Sequence, residues 1–314
     1  MKVSVIVCTY SPNMFEHFIE CVESLLKQTY DDIEIVCIVD GNREYFEMIE
    51  KSDLIREHGV KLFLNERNLG LLESRNRGAK LASGDIVAFI DDDAIADRRW
   101  IEELVRIYEE YDALAVGGRM EPLWLAKKPK WFPEEFYWLI GVNHIGGFPD
   151  EIAEVRNTFG SNLSFRRNVF LDLGRFNVRV GGIKGRRMLQ GGETELCIRL
   201  YKRYGRRVIY NPKAVVYHKI FERRTKLKFL VKRAFLQGVS KAVLEGLERD
   251  VSGERDFLKF LLTNRVPKRF LEFLKGDLSS LLKLGVMGLL TLSVLTGYAY
   301  AKVSNKAESV NQGK

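Results

Sequence analysis

Three consecutive aspartates, Asp91, Asp92 and Asp93, directly follow the apolar segment VAFI. Carboxylates this close repel one another, so a folded protein keeps them where solvent, a metal ion or other cations offset the repulsion. Hard oxygen ligands at fixed separation suit a divalent cation, and Mg²⁺ or Mn²⁺ fill their remaining positions with water and phosphate oxygens. The triplet therefore predicts a site for a metal-bound diphosphate, and the alternative is an acidic turn that only ends a strand.

The segments around the aspartates alternate short β-branched runs with helical patterns through about Met120. This alternation predicts an α/β fold with a mostly parallel sheet flanked by helices. Ligands of such sheets bind at the carboxyl ends of the strands. Thr9 and Tyr10 end the first predicted strand and Asp40 ends the second. We expect these residues to meet the aspartates at one open crevice.

The chain has 314 residues, four cysteines and a formal charge of +8. The cysteines lie in apolar segments without CxxC pairs, so neither a zinc site nor a disulfide framework is indicated and a reduced, cytosolic setting is favoured. The basic excess is concentrated between Arg223 and Arg233, which predicts a local basic surface. The N-terminus has the pattern of a strand rather than of a signal peptide. We expect no nucleic-acid partner.

Five blocks in order between Lys2 and about Lys219 resemble family 2 glycosyltransferases of the GT-A fold. They are VSVIVCTY, the segment ending in IEIVCIVDG, the segment NLGLLESRNRGAKLASGDIVAFIDDDA, SNLSFRRNVFLDLGRF, and GGETELCIRL with VIYNPKAVVYHK. The resemblance implies a GT-A, Rossmann-like fold and transfer of a sugar from a nucleotide-sugar donor. The aromatic segment PKWFPEEFYWLIG is similar to one in archaeal transferases that build dolichyl-phosphate-linked glycans, and ordinary core packing is the alternative.

The resemblance also implies roles for the acidic residues. Asp91 and Asp93 match the family's pair that binds the divalent metal, Mg²⁺ or Mn²⁺, and the diphosphate of the donor. His218 resembles a histidine that lies near the metal in many members, although a lone histidine at a strand end is often structural.

The donor-binding residues come from the same resemblance. Thr9 and Tyr10 look like the pair that lines the nucleotide, and Asp40 looks like the aspartate that contacts the base. Arg75 is similar to an arginine that contacts the donor. Its alternative role is that of a solvated arginine on a helix surface.

Glu193 occupies the position of the family's usual catalytic base, within GGETEL. The sequence departs from the family pattern with Gly192 in place of the first acid and with Glu for Asp at the base. Glu195 is the alternative base and points about 200° around the helix from Glu193. An acid at a helix start is also favoured simply as a capping charge.

An uncharged segment of eighteen residues, 284–301, lies between Lys283 and Lys302. Its length just reaches a bilayer span, and a buried or interfacial helix is the alternative. Basic residues before the segment favour the cell membrane with the catalytic domain in the cytoplasm. We therefore predict a GT-A domain over 1–220, basic membrane-proximal helices over 221–280, a transmembrane helix over 281–302 and a polar tail over 303–314.

Together these features predict an inverting, metal-dependent glycosyltransferase that uses a nucleotide-sugar, with UDP as the expected nucleotide, and a lipid-linked glycan as acceptor. The QxxRW block of processive synthases is absent, which favours transfer of a single sugar. One alternative is a membrane-tethered, non-catalytic protein that binds nucleotide-sugars. Another is a sugar-nucleotide pyrophosphorylase, but its usual Gly-rich N-terminal phosphate loop is absent.

Overall fold

The computed structural model of the chain describes residues 1–181, 189–248 and 252–311. Within these ranges it has nine strands that form one sheet. The strands are β1 (Val3–Thr9), β2 (Ile33–Asp40), β3 (Lys61–Asn65), β4 (Ile86–Asp91), β5 (Ala94–Ala96), β6 (Ala115–Trp124), β7 (Ala153–Val155), β8 (Leu163–Arg166) and β9 (Val208–Ile220). Seven helices of the described ranges precede β9 in the sequence: α1 (Phe15–Leu26), α2 (Arg43–Glu50), α3 (Asp53–Glu57), α4 (Leu71–Leu81), α5 (Trp100–Glu110), α6 (Arg167–Asp172) and α7 (Gly192–Tyr204).

The sheet runs in the order β3-β2-β1-β4-β8-β6-β9-β5, and β7 pairs with β9. The strands β3, β2, β1 and β4 are parallel neighbours, as the alternation of strands and helices predicts. The pairings of β8 with β4 and β6, and of β9 with β5 and β7, are antiparallel, so the sheet as a whole is mixed. The parallel half brings the ends of β1, β2 and β4 to one edge, where Cys8 is opposite Asp91.

One face of this sheet packs on α4, α6 and α7 through buried apolar side chains. The rings of Phe89, Phe170 and Phe176 lie 5.2–5.3 Å apart by their centroids and form the centre of the cluster. Burial of such side chains stabilises the folded chain by roughly 1.5–3 kcal/mol each. The strands that end at the aspartates are therefore held on a rigid apolar layer.

Contacts divide the described chain into two compact units. The first consists of Met1–Leu123, 149–181 and Gly192–Lys219, and the second of Trp124–Phe148, Leu189–Gly191, 220–248 and 252–311. The aromatic segment Trp124–Phe148 and the short stretch Leu189–Gly191, both inside the predicted domain over 1–220, belong to the second unit, and the aromatic segment packs with the C-terminal helices. Phe132, Phe136 and Tyr137 of this segment are buried, as the alternative of core packing predicts, whereas its other Trp and Phe rings are partly exposed.

The second unit contains the four remaining helices, α8 (Leu227–Glu248), α9 (Ser252–Phe260), α10 (Val266–Leu274) and α11 (Leu278–Asn311), with a π-helical turn at Leu261–Arg265. The helix α8 packs closely on α11: a Cβ atom at Gly238 would lie 2.0 Å from the Val294 carbonyl oxygen, and one at Gly297 would lie 2.0 Å from the Phe235 carbonyl oxygen. Glycine is therefore required at both crossing positions.

The segment Leu278–Ser304 of α11 is, by length and composition, apolar enough to cross a membrane, and 22% of its apolar window is buried. Helix α11 continues to Asn311, so the predicted polar tail over 303–314 begins inside the helix. Residues 312–314 of that tail lie outside the described residues.

Candidate active site

The end of β4 and the strand β9 bring together two carboxylates and an imidazole. Side-chain ligand atoms of Asp91, Asp93 and His218 all lie within 4.8 Å of one another. The antiparallel pairing of β5 with β9 places Ala94 opposite His218, and this brings His218 Nε2 to 3.3 Å from Asp93 Oδ1. Two carboxylate oxygens and one ring nitrogen are donors that a divalent cation accepts. The three predicted metal residues therefore form a donor set that fits such an ion.

Asp92, between the two predicted metal ligands, contacts β1 instead. Its Oδ2 accepts a 2.6 Å hydrogen bond from Thr9 Oγ1, and Thr9 Oγ1 also lies 3.2 Å from the Tyr45 hydroxyl. Desolvation and the neighbouring Asp93 charge raise the pKa of Asp92 to about 8, while the Thr9 hydroxyl opposes that rise. Asp92 and Asp93 lie in the turn between β4 and β5, and Asp92 is not among the residues whose ligand atoms come together. The middle aspartate therefore fixes the end of β1 and does not join the metal cluster.

Arg75 connects the metal cluster to the predicted base. Its guanidinium donates to Asp91 Oδ1 through Nη2 at 2.6 Å and to Glu193 Oε1 through Nη1 at 3.0 Å. The side chain is only 2% exposed and lies over the rings of Phe89 and Phe176. The alternative of a solvated helix arginine is therefore wrong. Arg75 fixes the separation of the two carboxylates that the reaction would use.

The two candidate bases differ in what they contact. The helix α7 begins at Gly192, so Glu193 lies in its first turn, and its side chain is 24% exposed. Glu195 is buried and accepts two 2.7 Å hydrogen bonds from Arg199, one from Nε and one from Nη2. Both oxygens of Glu195 are thus occupied by Arg199, and Glu193 is the more exposed of the two acids.

The nucleotide edge differs from the open crevice that the sequence predicted. Asp40 is 6% exposed and accepts hydrogen bonds from Asn65 Nδ2 and from the backbone amides of Leu69 and Gly70, at 2.8–2.9 Å. The expectation that Asp40 lies in an open crevice is therefore wrong, because its carboxylate secures the loop that leads into α4. Tyr10, directly after β1, is 46% exposed.

Sequence analysis missed two residues that shape the site. Ser161 Oγ accepts a 2.9 Å hydrogen bond from the Asp91 backbone amide. A Cβ atom at Gly160 would lie 2.2 Å from Glu193 Oε1 and 2.5 Å from Arg75 Nη1, so only glycine leaves room for that ion pair. Gly160 directly precedes the block SNLSF, and Ser161 is its first residue. The block carried the family resemblance, but its spacing gave no sign of these contacts.

Comparison with known proteins gives matches over the whole chain. The family model "Glycosyl transferase family 2" matches residues 4–174. The chain is 45% identical over 315 residues to the glucosyl-dolichyl phosphate glucuronosyltransferase of Haloferax volcanii, covering 99% of this chain and 100% of that relative. It is also 33% identical over 116 residues to the glycosyltransferase GlyG of Streptococcus pneumoniae, covering 37% of this chain and 38% of that relative.

Two solved structures have a similar fold at 17% sequence identity. One is S. aureus TarS 1-349 in complex with UDP-GlcNAc, with a TM-score of 0.53 and coverage of 100% of this chain and 93% of that one. The other is GalNAc-T7 with UDP, GalNAc and Mn²⁺, with a TM-score of 0.57 and coverage of 82% and 54%. At this identity the two structures support the predicted fold.

Proposed function

The chain belongs to glycosyltransferase family 2, and from this premise we propose that it transfers one sugar from a UDP-sugar to a hydroxyl of a lipid-linked glycan, with inversion and with a bound Mg²⁺ or Mn²⁺. One observation carries the proposal: the two terminal nitrogens of the buried Arg75 guanidinium donate separately to Asp91, of the predicted metal cluster, and to Glu193. This arrangement supports the proposal, because the same arginine would hold the metal-binding carboxylate and the base in place before substrate binds.

The proposed reaction is a single displacement. Glu193 takes the proton of the acceptor hydroxyl while the acceptor oxygen forms a bond to the anomeric carbon of the donor sugar. On the opposite face of that sugar, the bond between the anomeric carbon and the UDP oxygen breaks. The anomeric configuration inverts, UDP leaves, and no covalent bond to the protein forms. A divalent cation held by Asp91, Asp93 and His218 would supply positive charge to the departing diphosphate. Positioned proton removal contributes typically ~10²–10⁴ in rate.

Tyr10 is the residue on the nucleotide edge that we assign to direct donor contact, because its ring is exposed at the end of β1. Asp40 and Thr9 would support the site without touching the donor. Asp40 accepts a hydrogen bond from the loop before α4, and Thr9 donates a hydrogen bond to Asp92. Arg75 would orient Asp91 and Glu193 rather than bind the donor itself, since it is almost fully buried.

The acceptor class follows from the need for a base. A lipid phosphate is already ionised near neutral pH and can attack unaided, whereas a sugar hydroxyl benefits from proton removal. The name of the full-length relative at 45% identity supports a glycosylated dolichyl phosphate as acceptor and a hexuronic acid or hexose as the added unit. Glu193 would then serve the hydroxyl of the lipid-linked sugar.

The proposed location is the cell membrane, with α11 as the membrane helix and the first unit in the cytoplasm. The apolar, mostly exposed segment Leu278–Ser304 supports membrane association. A reporter fused after Lys314 should lie on the external side; a cytoplasmic reporter would contradict the proposed topology.

The decisive assay incubates the full-length protein with labelled UDP-sugars and a lipid extract. Transfer of label to a lipid-linked glycan is expected, and it should stop on chelation of divalent ions. Tight UDP-sugar binding without release of UDP would instead favour the non-catalytic binding protein. Release of a sugar phosphate and UTP in the presence of pyrophosphate would favour the pyrophosphorylase.

A further inference from the structure

The helix α10 has its polar and apolar faces reversed relative to a surface helix in water. Arg269, within α10, is 6% exposed, whereas Phe270, Leu271 and Leu274 are 51%, 56% and 63% exposed. A helix on the surface of a soluble protein buries its apolar stripe and exposes its charges. The outward side of α10 therefore exposes large apolar side chains, which is unfavourable in water.

The inward side of α10 is held by ion pairs to the aromatic segment of the same unit. Arg269 Nη2 donates to Glu134 Oε2 at 2.6 Å and lies 3.3 Å from Glu135 Oε2. Arg265, directly before α10, donates through Nε to Glu135 Oε1 at 2.6 Å, and Lys283 contacts both oxygens of Glu134 at 3.1 Å. Charges removed from water are costly unless paired in this way. The pairs lock the orientation of α10, so its apolar side chains cannot turn inward.

The exposed apolar surface continues from α10 into the first turns of α11. Leu278, Leu281 and Leu282 are 71%, 49% and 60% exposed. Together with Phe270, Leu271 and Leu274 they form what we call the α10–α11 patch. The two helices pack against each other, and exposed apolar side chains on neighbouring helices are typical of a contact with protein or membrane.

Basic side chains at the edge of the patch indicate which partner it meets. At 100° per residue, Phe270, Leu271 and Leu274 share one arc of α10, and the exposed Lys268 and Lys275 lie together along one side of that arc, next to Leu271. An apolar face edged by lysines is the arrangement of helices that lie in the interface of an anionic bilayer. The patch is also continuous with the apolar helix α11. A second copy of the chain would present the same lysines and would repel them.

We propose that the α10–α11 patch docks into the headgroup region of an anionic bilayer, with α10 lying along the membrane surface. Phe270, Leu271 and Leu274 enter the outer acyl region, and Lys268 and Lys275 contact lipid phosphates. This contact is separate from the segment 284–301 and does not depend on whether α11 crosses the bilayer. It also does not depend on the proposed sugar transfer.

The native cysteines allow a direct test, because Cys8, Cys21, Cys37 and Cys197 are all buried. Leu271→Cys in the full-length protein adds an exposed thiol for a fluorescent label, and Asp256→Cys on α9 gives a matched control at an exposed polar position. Both labelled proteins are reconstituted into vesicles of phosphatidylcholine and phosphatidylglycerol.

The label at residue 271 should lose fluorescence to a quencher attached near the top of the lipid acyl chains and should be protected from aqueous iodide. The label at residue 256 should show the reverse. Combining Lys268→Glu and Lys275→Glu with Leu271→Cys should reduce the lipid quenching. Iodide quenching at residue 271 that vesicles leave unchanged would overturn the proposal. Protection from both quenchers would also overturn it, since that result indicates a protein partner.

Discussion

Arg75 offers the sharpest test of how the site is held together. Removing one partner of a buried ion pair costs roughly 3–5 kcal/mol. The Asp91 and Glu193 side chains are 30% and 24% exposed, so water can rehydrate them after the loss of Arg75. We therefore expect Arg75→Met to lower the free energy of unfolding by about 3 kcal/mol, the lower end of that range.

Arg75→Lys separates positioning from stability. Lysine keeps the positive charge but lacks the planar fork that donates to two carboxylates at once. The loss of one charge-assisted hydrogen bond, about 1.5–3 kcal/mol, corresponds to a fall in transfer rate of about 10- to 100-fold. The fall should appear in kcat as well as in the KM for the donor, since both carboxylates lose their fixed positions.

The assay measures transfer from labelled UDP-sugar to a lipid extract, with circular dichroism to confirm folding. Arg99→Lys is the matched control, because Arg99 is 60% exposed and pairs with Glu102 on the surface. It should cost less than about 1 kcal/mol and leave transfer unchanged. A folded Arg75→Lys protein with wild-type kcat and KM would refute the view that Arg75 positions Asp91 and Glu193.

Three further outcomes are expected. Glu193→Gln should retain UDP binding but lose most transfer, while Glu195→Gln should chiefly lower the melting temperature; equal transfer by wild type and Glu193→Gln would exclude Glu193 as the base. Gly160→Ala should reduce transfer because its Cβ would meet the ion pair of Arg75 and Glu193; unchanged kinetics would show that the pair can shift at no cost. Burial raises the pKa of Glu34, but hydrogen bonds led by that from Lys61 outweigh it and lower the pKa to about 2. Since this pKa is below the unfolded value, Glu34 stabilises the fold above about pH 4.5, and its contribution falls as the pH drops toward 2. Glu34→Gln should therefore lower stability at pH 7 by about 3 kcal/mol, with a difference from wild type that shrinks in acid, as denaturation at several pH values would measure.

The parallel strands and the metal residues follow from local sequence patterns. β-Branched runs and helical periodicity are properties of neighbouring residues, and they locate β1 to β4 and the helices between them to within a few residues. The helical pattern of the segment EYFEMIEKSDLIREHG predicts one helix, but the structure has two, α2 and α3, because Ser52 between them has extended backbone angles. The carboxylates at the end of β4 lie beside the predicted histidine because β9 pairs with β5.

Contacts between distant residues could not be predicted from those patterns. Arg75 and Glu193 are 118 positions apart, and nothing near Arg75 in the sequence indicates a buried ion pair. The backbone amides that donate to the Asp40 carboxylate are about 30 residues away in the sequence. The position of Asp40 at a strand end does not reveal these hydrogen bonds, and by itself it suggested an open crevice. The periodicity of α10 shows an apolar arc, but only the pairs to Glu134 and Glu135 determine that this arc faces outward.

Calorimetric titration of UDP into the full-length protein, with Mn²⁺ and after chelation, tests the proposed donor site most directly. If Asp91, Asp93 and His218 hold a cation that bridges the diphosphate to the protein, UDP should bind tightly only with Mn²⁺. Asp93→Asn should abolish that difference, while Asp92→Asn should largely preserve it. Equal UDP affinity with and without Mn²⁺ in the wild-type protein would contradict a metal-dependent transferase built on this site.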